Sequence, residues 1–292
     1  IALNFVGHNG YYCCFFCYLH GIHQGGKRQY PYKCPLEMRT ADSFARDSIT
    51  ASRLKRREKG HLGISVLANV IDIPLPYSII IDYAHASLLR HSKTIFAELY
   101  RRLHPAVRVD IDIVLAQQPF PHFFHRRMKP LKDLSFIKAT EIRNILFYGI
   151  LPVLHRYLPL NLLTHFALYI CGLRLLHGRP IFGDQTPEIA DNLLIIYYQN
   201  FDIFYHGLQN FVLHLHSHFN DQYRSFGALS HLGSFGQEGL IGYMGSNYTG
   251  TRYQGDIICE NYSLDIRLLS YISYLFSNIC GLLRLITFFD LF

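Results

Sequence analysis

Apolar residues recur at helical spacing through the second half of the chain. In residues 137–158 they fall every three or four positions, which predicts a helix with one face toward a core. Pro152 and Pro159 predict that this helix kinks or ends at those points. Residues 160–176 are apolar almost all round, which is typical of a buried helix.

Three further stretches are predicted to be helical. Pro187 indicates a helix start, and residues 209–219 form a helical stretch with three histidines. Residues 84–103 form another, with arginine and lysine toward the C-terminal end, where the helix dipole favours cations. The apolar stripe of the helix after Pro187 comprises Ile189, Leu193, Ile196, Tyr197 and Phe204.

The remaining segments lack this periodicity. Residues 1–40 are rich in Gly, Tyr, Cys and His and predict loops and short extended pieces. Two prolines interrupt residues 71–81, which predicts an irregular or edge segment, and residues 117–130 read as a basic loop. The whole pattern predicts a mostly α chain with residual α/β structure. It divides into a basic Cys/Tyr/Gly-rich segment (1–60), a helical part (61–257) and an unassigned apolar tail (258–292).

Composition narrows the class of protein. The 292 residues are 50% hydrophobic and 17% charged, which excludes intrinsic disorder as the main state. The net charge of +7 is uneven, because residues 1–60 hold ten basic and four acidic side chains whereas residues 144–292 hold seven and ten. A basic front half indicates a polyanion-facing region, or simply a solvated basic face. The run RLKRREK at 53–59 is typical of nuclear targeting, of phosphate contacts or of an exposed helix turn.

Two apolar stretches raise the question of membrane insertion. Residues 157–173 and 268–283 are both shorter than the roughly 20 residues that a spanning helix needs, and arginines bound them. We therefore expect no membrane partner, and a polytopic membrane protein is kept as an alternative reading.

The seven cysteines do not form a disulfide framework. Their number is odd, and Cys13, Cys14 and Cys17 lie within five residues, so we expect a reducing compartment. Cys14 and Cys17 form a C-x-x-C pair, which can bind one zinc ion when another part of the chain supplies two further ligands. Asp82 and His85, in a D-x-x-H pair, are the candidates for those ligands. The alternative is a reduced pair in a loop and a helix-capping Asp82.

Two other groups are weaker candidates. His214 and His218 lie one helical turn apart, a spacing that suits a metal, although packed and hydrogen-bonded helix histidines are the favoured interpretation. Glu238 is the one carboxylate between Asp221 and Asp256. By composition alone it is a surface glutamate.

Short motifs follow one another in a fixed order between residues 7 and 242. They are GHNGYYCCFFC at 7–17, YP at 30–31, RT at 39–40, GISVL at 63–67, DYAH at 82–85, KATEIR at 138–143, HF at 165–166, FVLHLHSH at 211–218 and FGQEGLIG at 235–242. This order resembles transposases of the CACTA (En/Spm-like) type and the animal transposase domain-containing proteins. The residues after about 258 match no motif of that family.

The resemblance implies the C-terminal portion of an RNase H-like DDE core with a large helical insertion. Such enzymes use an Asp-Asp-Glu set and two Mg²⁺ ions to cleave and join DNA strands. Glu238 stands where the last catalytic acid is expected, and Asp82 is a less favoured catalytic position. The C-x-x-C and D-x-x-H pairs fall in the insertion, where they imply a structural metal site such as zinc. DNA as the partner, a homo-oligomer and a nuclear location follow from the same resemblance.

Several departures from the family pattern argue against activity. Cys13 replaces glycine, Ala84 replaces methionine, Val212 replaces asparagine, and Ser230 stands where tryptophan is expected. The chain begins with Ile1, and both catalytic aspartates are expected upstream of it, as in a fragment of a longer reading frame. We therefore predict a transposase-derived fragment that is catalytically inactive as this chain. A domesticated nucleic-acid-binding or interaction module is the second reading.

Overall fold

The computed structural model describes residues 3–119 and 128–234, together with the single positions 242 and 263. The chain divides into two compact units, Ile1–Gly233 and Ser234–Phe292. The elements given below all belong to the first unit. Residues 1–60 lie in this unit together with the helices that follow them.

Helices dominate the described residues, which confirms the mostly α prediction. The one hairpin there is β1 (Ile22–Gln24) paired antiparallel with β2 (Lys27–Gln29). The helices are α1 (Ala41–Leu54), α2 (Lys93–Arg102), α3 (Pro105–Gln117), α4 (Ala139–Asn144), α5 (Ile150–Leu154), α6 (Leu160–His177), α7 (Thr186–Gln199), α8 (Phe201–Phe204), α9 (Phe211–Leu215) and α10 (Phe219–Phe226). Two π-helical segments, Ala84–Ser92 and Ile145–Gly149, lead directly into α2 and α5.

The residues that flank helix α1 determine where it begins and ends. Thr40 caps it by accepting a hydrogen bond from the Ser43 N–H, and the Ser43 side chain accepts one from the Thr40 N–H in return. The helix ends at Leu54 because Lys55 adopts a left-handed conformation with φ of 49°. Phe44 and Ala51 are buried on its inner face.

The predicted helix over 84–103 is confirmed as one continuous helical segment that ends at Arg102. Its first nine residues are wound as a π-helix and its remainder is α2. Asp82 precedes it and accepts a hydrogen bond from the His85 N–H at 3.0 Å, which is the capping role anticipated for this residue. At the other end Arg101 and Arg102 both pair with Glu98 at 2.9 Å.

The helix predicted over 137–158 is present but shorter, and its middle part is π-helical. It runs as α4, the π-helical segment Ile145–Gly149 and α5, and it ends at Leu154, ahead of Pro159. Pro152 lies inside α5. Because proline has no N–H, Pro152 cannot donate a hydrogen bond to the Tyr148 carbonyl in the π-helical segment before it, although the helix itself continues to Leu154.

Helices α6 and α7 pack closely side by side. Gly172 allows this approach, since a Cβ atom there would lie 2.8 Å from Leu194 Cγ. The prediction that α6 is buried all round is wrong in part, because one face is buried, including Phe166 and Tyr169, whereas Leu160 is 77% exposed. Pro187 lies in the first turn of α7. Within the described residues, no helix has the length and apolar character that crossing a bilayer requires. The second apolar stretch, 268–283, lies outside the described residues.

The predicted stripe on α7 is wrong in part. Ile196 is 43% exposed, whereas Ala190, Leu194, Tyr197 and Tyr198 are buried. Helix α7 packs against both α6 and α10, so its buried surface is wider than one stripe and is rotated away from Ile196.

Candidate metal centre

Four buried side chains converge at one point in the described part of the chain. Cys14 Sγ lies 3.2 Å from His218 Nε2, and Cys17 Sγ lies 3.2 Å from His214 Nε2. The two Nε2 atoms are also 3.2 Å apart. All four atoms lie within 4.8 Å of one another, so one ion could bind them together. The paired residues are 204 and 197 positions apart in sequence.

A buried arginine shapes the C-x-x-C turn. Arg39 Nε donates to the backbone carbonyls of Cys14 and Cys17, at 3.2 and 3.1 Å. The Arg39 N–H donates to the Phe16 carbonyl, which holds the same turn from its middle. The Arg39 side chain is fully buried, and its charge faces Asp47 at 3.9 Å. Both thiols are therefore presented on one side of a rigid turn.

The histidines come from the chain that follows α8. The Asn210 side chain caps α9 by accepting a hydrogen bond from the Leu213 N–H, which fixes where the helix begins. His214 lies in α9, and His218 is the last residue of the short 3₁₀ turn that follows it (His216–His218). Residues four apart on a helix share a face, so both rings point to the same side.

The protonation states suit a metal. Hydrogen bonds from Cys14 and from the two imidazoles lower the pKa of Cys17, so its thiolate form is stabilised. Burial, followed by the neighbouring Cys17, raises the pKa of Cys14. Burial lowers the pKa of His214 and keeps its ring neutral, with a lone pair available for bonding. A metal ion needs a thiolate and a neutral imidazole, and binding of zinc would release the proton held by Cys14.

The distances fit tetrahedral zinc. Zinc–sulfur and zinc–nitrogen bonds of about 2.3 and 2.0–2.1 Å separate sulfur from nitrogen by about 3.6 Å and nitrogen from nitrogen by about 3.4 Å. The observed separations of 3.2 Å are shorter by only a few tenths of an ångström. The Nδ1 atoms of both histidines have no hydrogen-bond partner in the described part of the chain. The polar contacts of these two rings are therefore made by their Nε2 atoms, which are the atoms that would bind the ion.

The third cysteine of the cluster is not part of the centre. The buried Cys13 thiol donates to the Tyr30 hydroxyl at 2.9 Å, and that hydroxyl donates to the Gly10 carbonyl at 2.6 Å. Burial raises the pKa of Cys13 to about 12, so it stays a thiol. The Tyr198 hydroxyl binds the Tyr30 carbonyl, which ties this layer to α7. In the described residues the cysteines are all free of disulfides, as expected.

We expected Asp82 and His85 to complete the metal site of the C-x-x-C pair, but the structure does not place them there. Asp82 Oδ2 instead accepts a hydrogen bond from His85 Nδ1 at 2.7 Å, and Asp82 Oδ1 caps the helix that follows. Both carboxylate oxygens are thus turned toward their own helix. His214 and His218, the less favoured metal candidates, take the places beside the thiols.

One residue of the centre was missed by sequence reasoning. Arg39 belongs to the RT motif of the resemblance, but nothing in the local pattern shows that its guanidinium is buried under the C-x-x-C turn. Glu238 lies outside the described residues, and Asp82 as a catalytic acid stays a prediction. Asp82 is partly buried and bonded to His85, with 25% of its side chain exposed.

No protein-family model, no curated protein and no solved structure matches this chain. The family resemblance therefore stays a prediction that rests on the motifs quoted above.

Proposed function

We propose that this chain is a zinc-stabilised helical region of a CACTA-like DNA transposase, and that it does not cleave DNA by itself. The observation that supports the proposal is the convergence of Cys14, Cys17, His214 and His218. These residues belong to two motifs of the resemblance, about 200 positions apart in sequence, and neither motif has a metal-binding set alone.

The ion would be structural. Cys14, Cys17, His214 and His218 would supply four protein ligands to zinc, and all four are buried. A catalytic zinc keeps one position open for water or substrate, whereas a closed set of four is typical of structural sites. Strand cleavage in this family would depend on Glu238 and on two aspartates that the resemblance places on the N-terminal side of the GHNGYYCCFFC motif. The centre would hold the N-terminal segment against α9.

Zinc stoichiometry tests the structural part of the proposal. We expect one zinc per purified chain by elemental analysis, and its loss in Cys14→Ser and in His218→Asn. Cys171→Ser and Cys34→Ser are matched controls, because these two cysteines are exposed and free. Wild-type protein that binds no zinc, or zinc retained in both ligand variants, would contradict the proposal.

A nicking assay tests the catalytic part. Supercoiled DNA with Mg²⁺ and the zinc-loaded chain should remain uncut, because a two-metal site needs several anionic ligands and this chain is expected to supply only Glu238. Mg²⁺-dependent nicking that disappears in Glu238→Gln would show that the chain is active and would support the family assignment. Nicking that persists in Glu238→Gln would come from a contaminant or from another site.

A second candidate function is a nucleic-acid-binding module. It is favoured by the exposed basic side chains at the end of α1, where Arg53, Lys55, Arg56 and Arg57 follow one another. Contacts from such residues to phosphates make affinity fall steeply with salt. We expect the triple variant Arg53→Ala/Arg56→Ala/Arg57→Ala to weaken duplex binding and to reduce its salt dependence. Arg101→Ala is the control, since this arginine is also exposed but belongs to α2 rather than to this basic run.

A further inference from the structure

A cavity of about 340 Å³ lies directly beside the metal centre. Its walls are mostly apolar and come from the C-x-x-C turn, from the chain around residue 80 and from α9. The apolar lining side chains include Phe15, Phe16, Ile81, Phe211, Val212 and Leu215. None of the four metal ligands lines this space, whereas Asp82, the less favoured catalytic position, does.

Two walls of the cavity contact the metal-binding histidines. The Phe16 ring packs on His218 with centroids 5.0 Å apart, and the Phe211 ring packs near His214 at 6.3 Å. A metal ion that fixes these imidazoles also fixes the aromatic walls. The shape of the cavity is therefore coupled to zinc occupancy.

The rim has four ionisable side chains: His8, Asp82, His85 and Arg90. His85 Nδ1 donates to Asp82 Oδ2 at 2.7 Å. Arg90 is exposed and lies eight residues after Asp82, about two helical turns away.

We propose that this cavity binds one unstacked nucleotide of single-stranded DNA; this inference rests on the proposed function. The aromatic and aliphatic walls offer the base a stacking and packing surface, as in other single-strand binding sites. The volume is at the lower end of the range for small-ligand pockets, about 300–1,000 Å³, which suits one nucleotide rather than a run of bases.

The charges on the rim orient the nucleotide. Asp82 repels phosphate from one end of the cavity, whereas Arg90 attracts it two turns away. The base then packs against the aromatic walls that include Phe16 and Phe211. A base that remains in a duplex cannot enter, so the site selects strands that are open or distorted.

The test uses a fluorescent ten-nucleotide DNA strand, its duplex, and the zinc-loaded full chain. Val212→Trp fills the cavity, and Arg90→Ala removes the phosphate contact. Loss of one stacked base is worth about 5- to 150-fold in affinity. We expect each variant to weaken single-strand binding about tenfold while duplex affinity stays within twofold. Ile203→Trp and Arg101→Ala are the controls, because both residues are exposed and neither lines the cavity.

Equal single-strand affinities for Val212→Trp and Ile203→Trp would overturn the proposal. So would a wild-type chain that binds zinc but no single-stranded DNA at low salt, and the zinc assignment would then remain intact. Each variant is first checked for one zinc per chain, so that a collapsed centre is not mistaken for a filled cavity. Removing zinc should weaken single-strand binding in the wild type and leave it unchanged in Val212→Trp.

Discussion

His165 should make this protein less stable in acid. Its Nε2–H donates to the Tyr197 carbonyl at 2.9 Å, and the ring stacks on Tyr197 and Phe204 with centroids 4.7 and 4.3 Å away. The residue is 4% exposed. Burial lowers the pKa of His165 from 6.5 to about 4, so the folded chain holds this ring neutral at pH values where the unfolded chain protonates it.

The size of the effect follows from linkage. The folded pKa lies below the unfolded value, so the contribution of His165 is complete above pH 6.5 and is lost as the pH falls toward 4. Between pH 6.5 and pH 5 only the unfolded state takes up the proton. At 1.36 kcal/mol per pH unit, the free energy of unfolding falls by about 2 kcal/mol from this residue alone.

Urea unfolding at pH 7 and pH 5 measures this effect, with His165→Gln as the perturbation. Glutamine can still donate to the Tyr197 carbonyl but has no proton to take up. We expect His165→Gln to be less stable than the wild type at pH 7, because it loses the ring contacts, and to lose about 2 kcal/mol less than the wild type on going to pH 5. His23→Gln, on the exposed β1 strand, should behave as the wild type does. Equal losses in His165→Gln and the wild type would refute the reasoning.

Three further outcomes follow from the packing and from the centre. Gly172→Ala should lower the free energy of unfolding by about 1–3 kcal/mol because its Cβ would lie 2.8 Å from Leu194 Cγ, whereas Gly178→Ala, with no neighbour within 4 Å, should be close to neutral in urea titrations. Arg39→Gln should weaken zinc binding about 10- to 100-fold, because it removes the guanidinium that donates to the Cys14 and Cys17 carbonyls. Competition with a chromophoric chelator measures the zinc affinity, and an unchanged affinity would contradict this role of Arg39. Chelation at pH 7 should lower stability by about 4 kcal/mol relative to free zinc at 1,000 times its Kd, and an unchanged thermal midpoint would contradict a structural ion.

The helical part of the fold could be predicted because its signals are local. The apolar run of α6 and the early proline of α7 each determine their own element. The rotation of the α7 face could not be predicted, since α6 and α10 both contact it and their positions are not encoded in α7 itself. The π-helical winding of Ala84–Ser92 likewise has no simple sequence signal.

The candidate site was predicted residue by residue but not as a set. Each of Cys14, Cys17, His214 and His218 was recognised as a possible ligand from its spacing within its own motif. Spacing within a motif says nothing about which distant motif meets it. Asp82 and His85 lie closer in sequence to the C-x-x-C pair than the two histidines do, but Asp82 and His85 form a hydrogen bond with each other. Long-range partnership depends on how the N-terminal segment packs on α9, which no local pattern reports.

The separation of the two ligand pairs has a consequence for synthesis of the chain. Cys14 and Cys17 leave the ribosome about 200 residues before His214 and His218. At a synthesis rate of about 5–20 residues per second, the two histidines are made roughly 10–40 s after the two cysteines. During that interval Cys13, Cys14 and Cys17 are adjacent, unburied and open to oxidation or to capture by other metals. The cell's reducing capacity, rather than its zinc supply alone, would then set how much of the newly made protein reaches its native form.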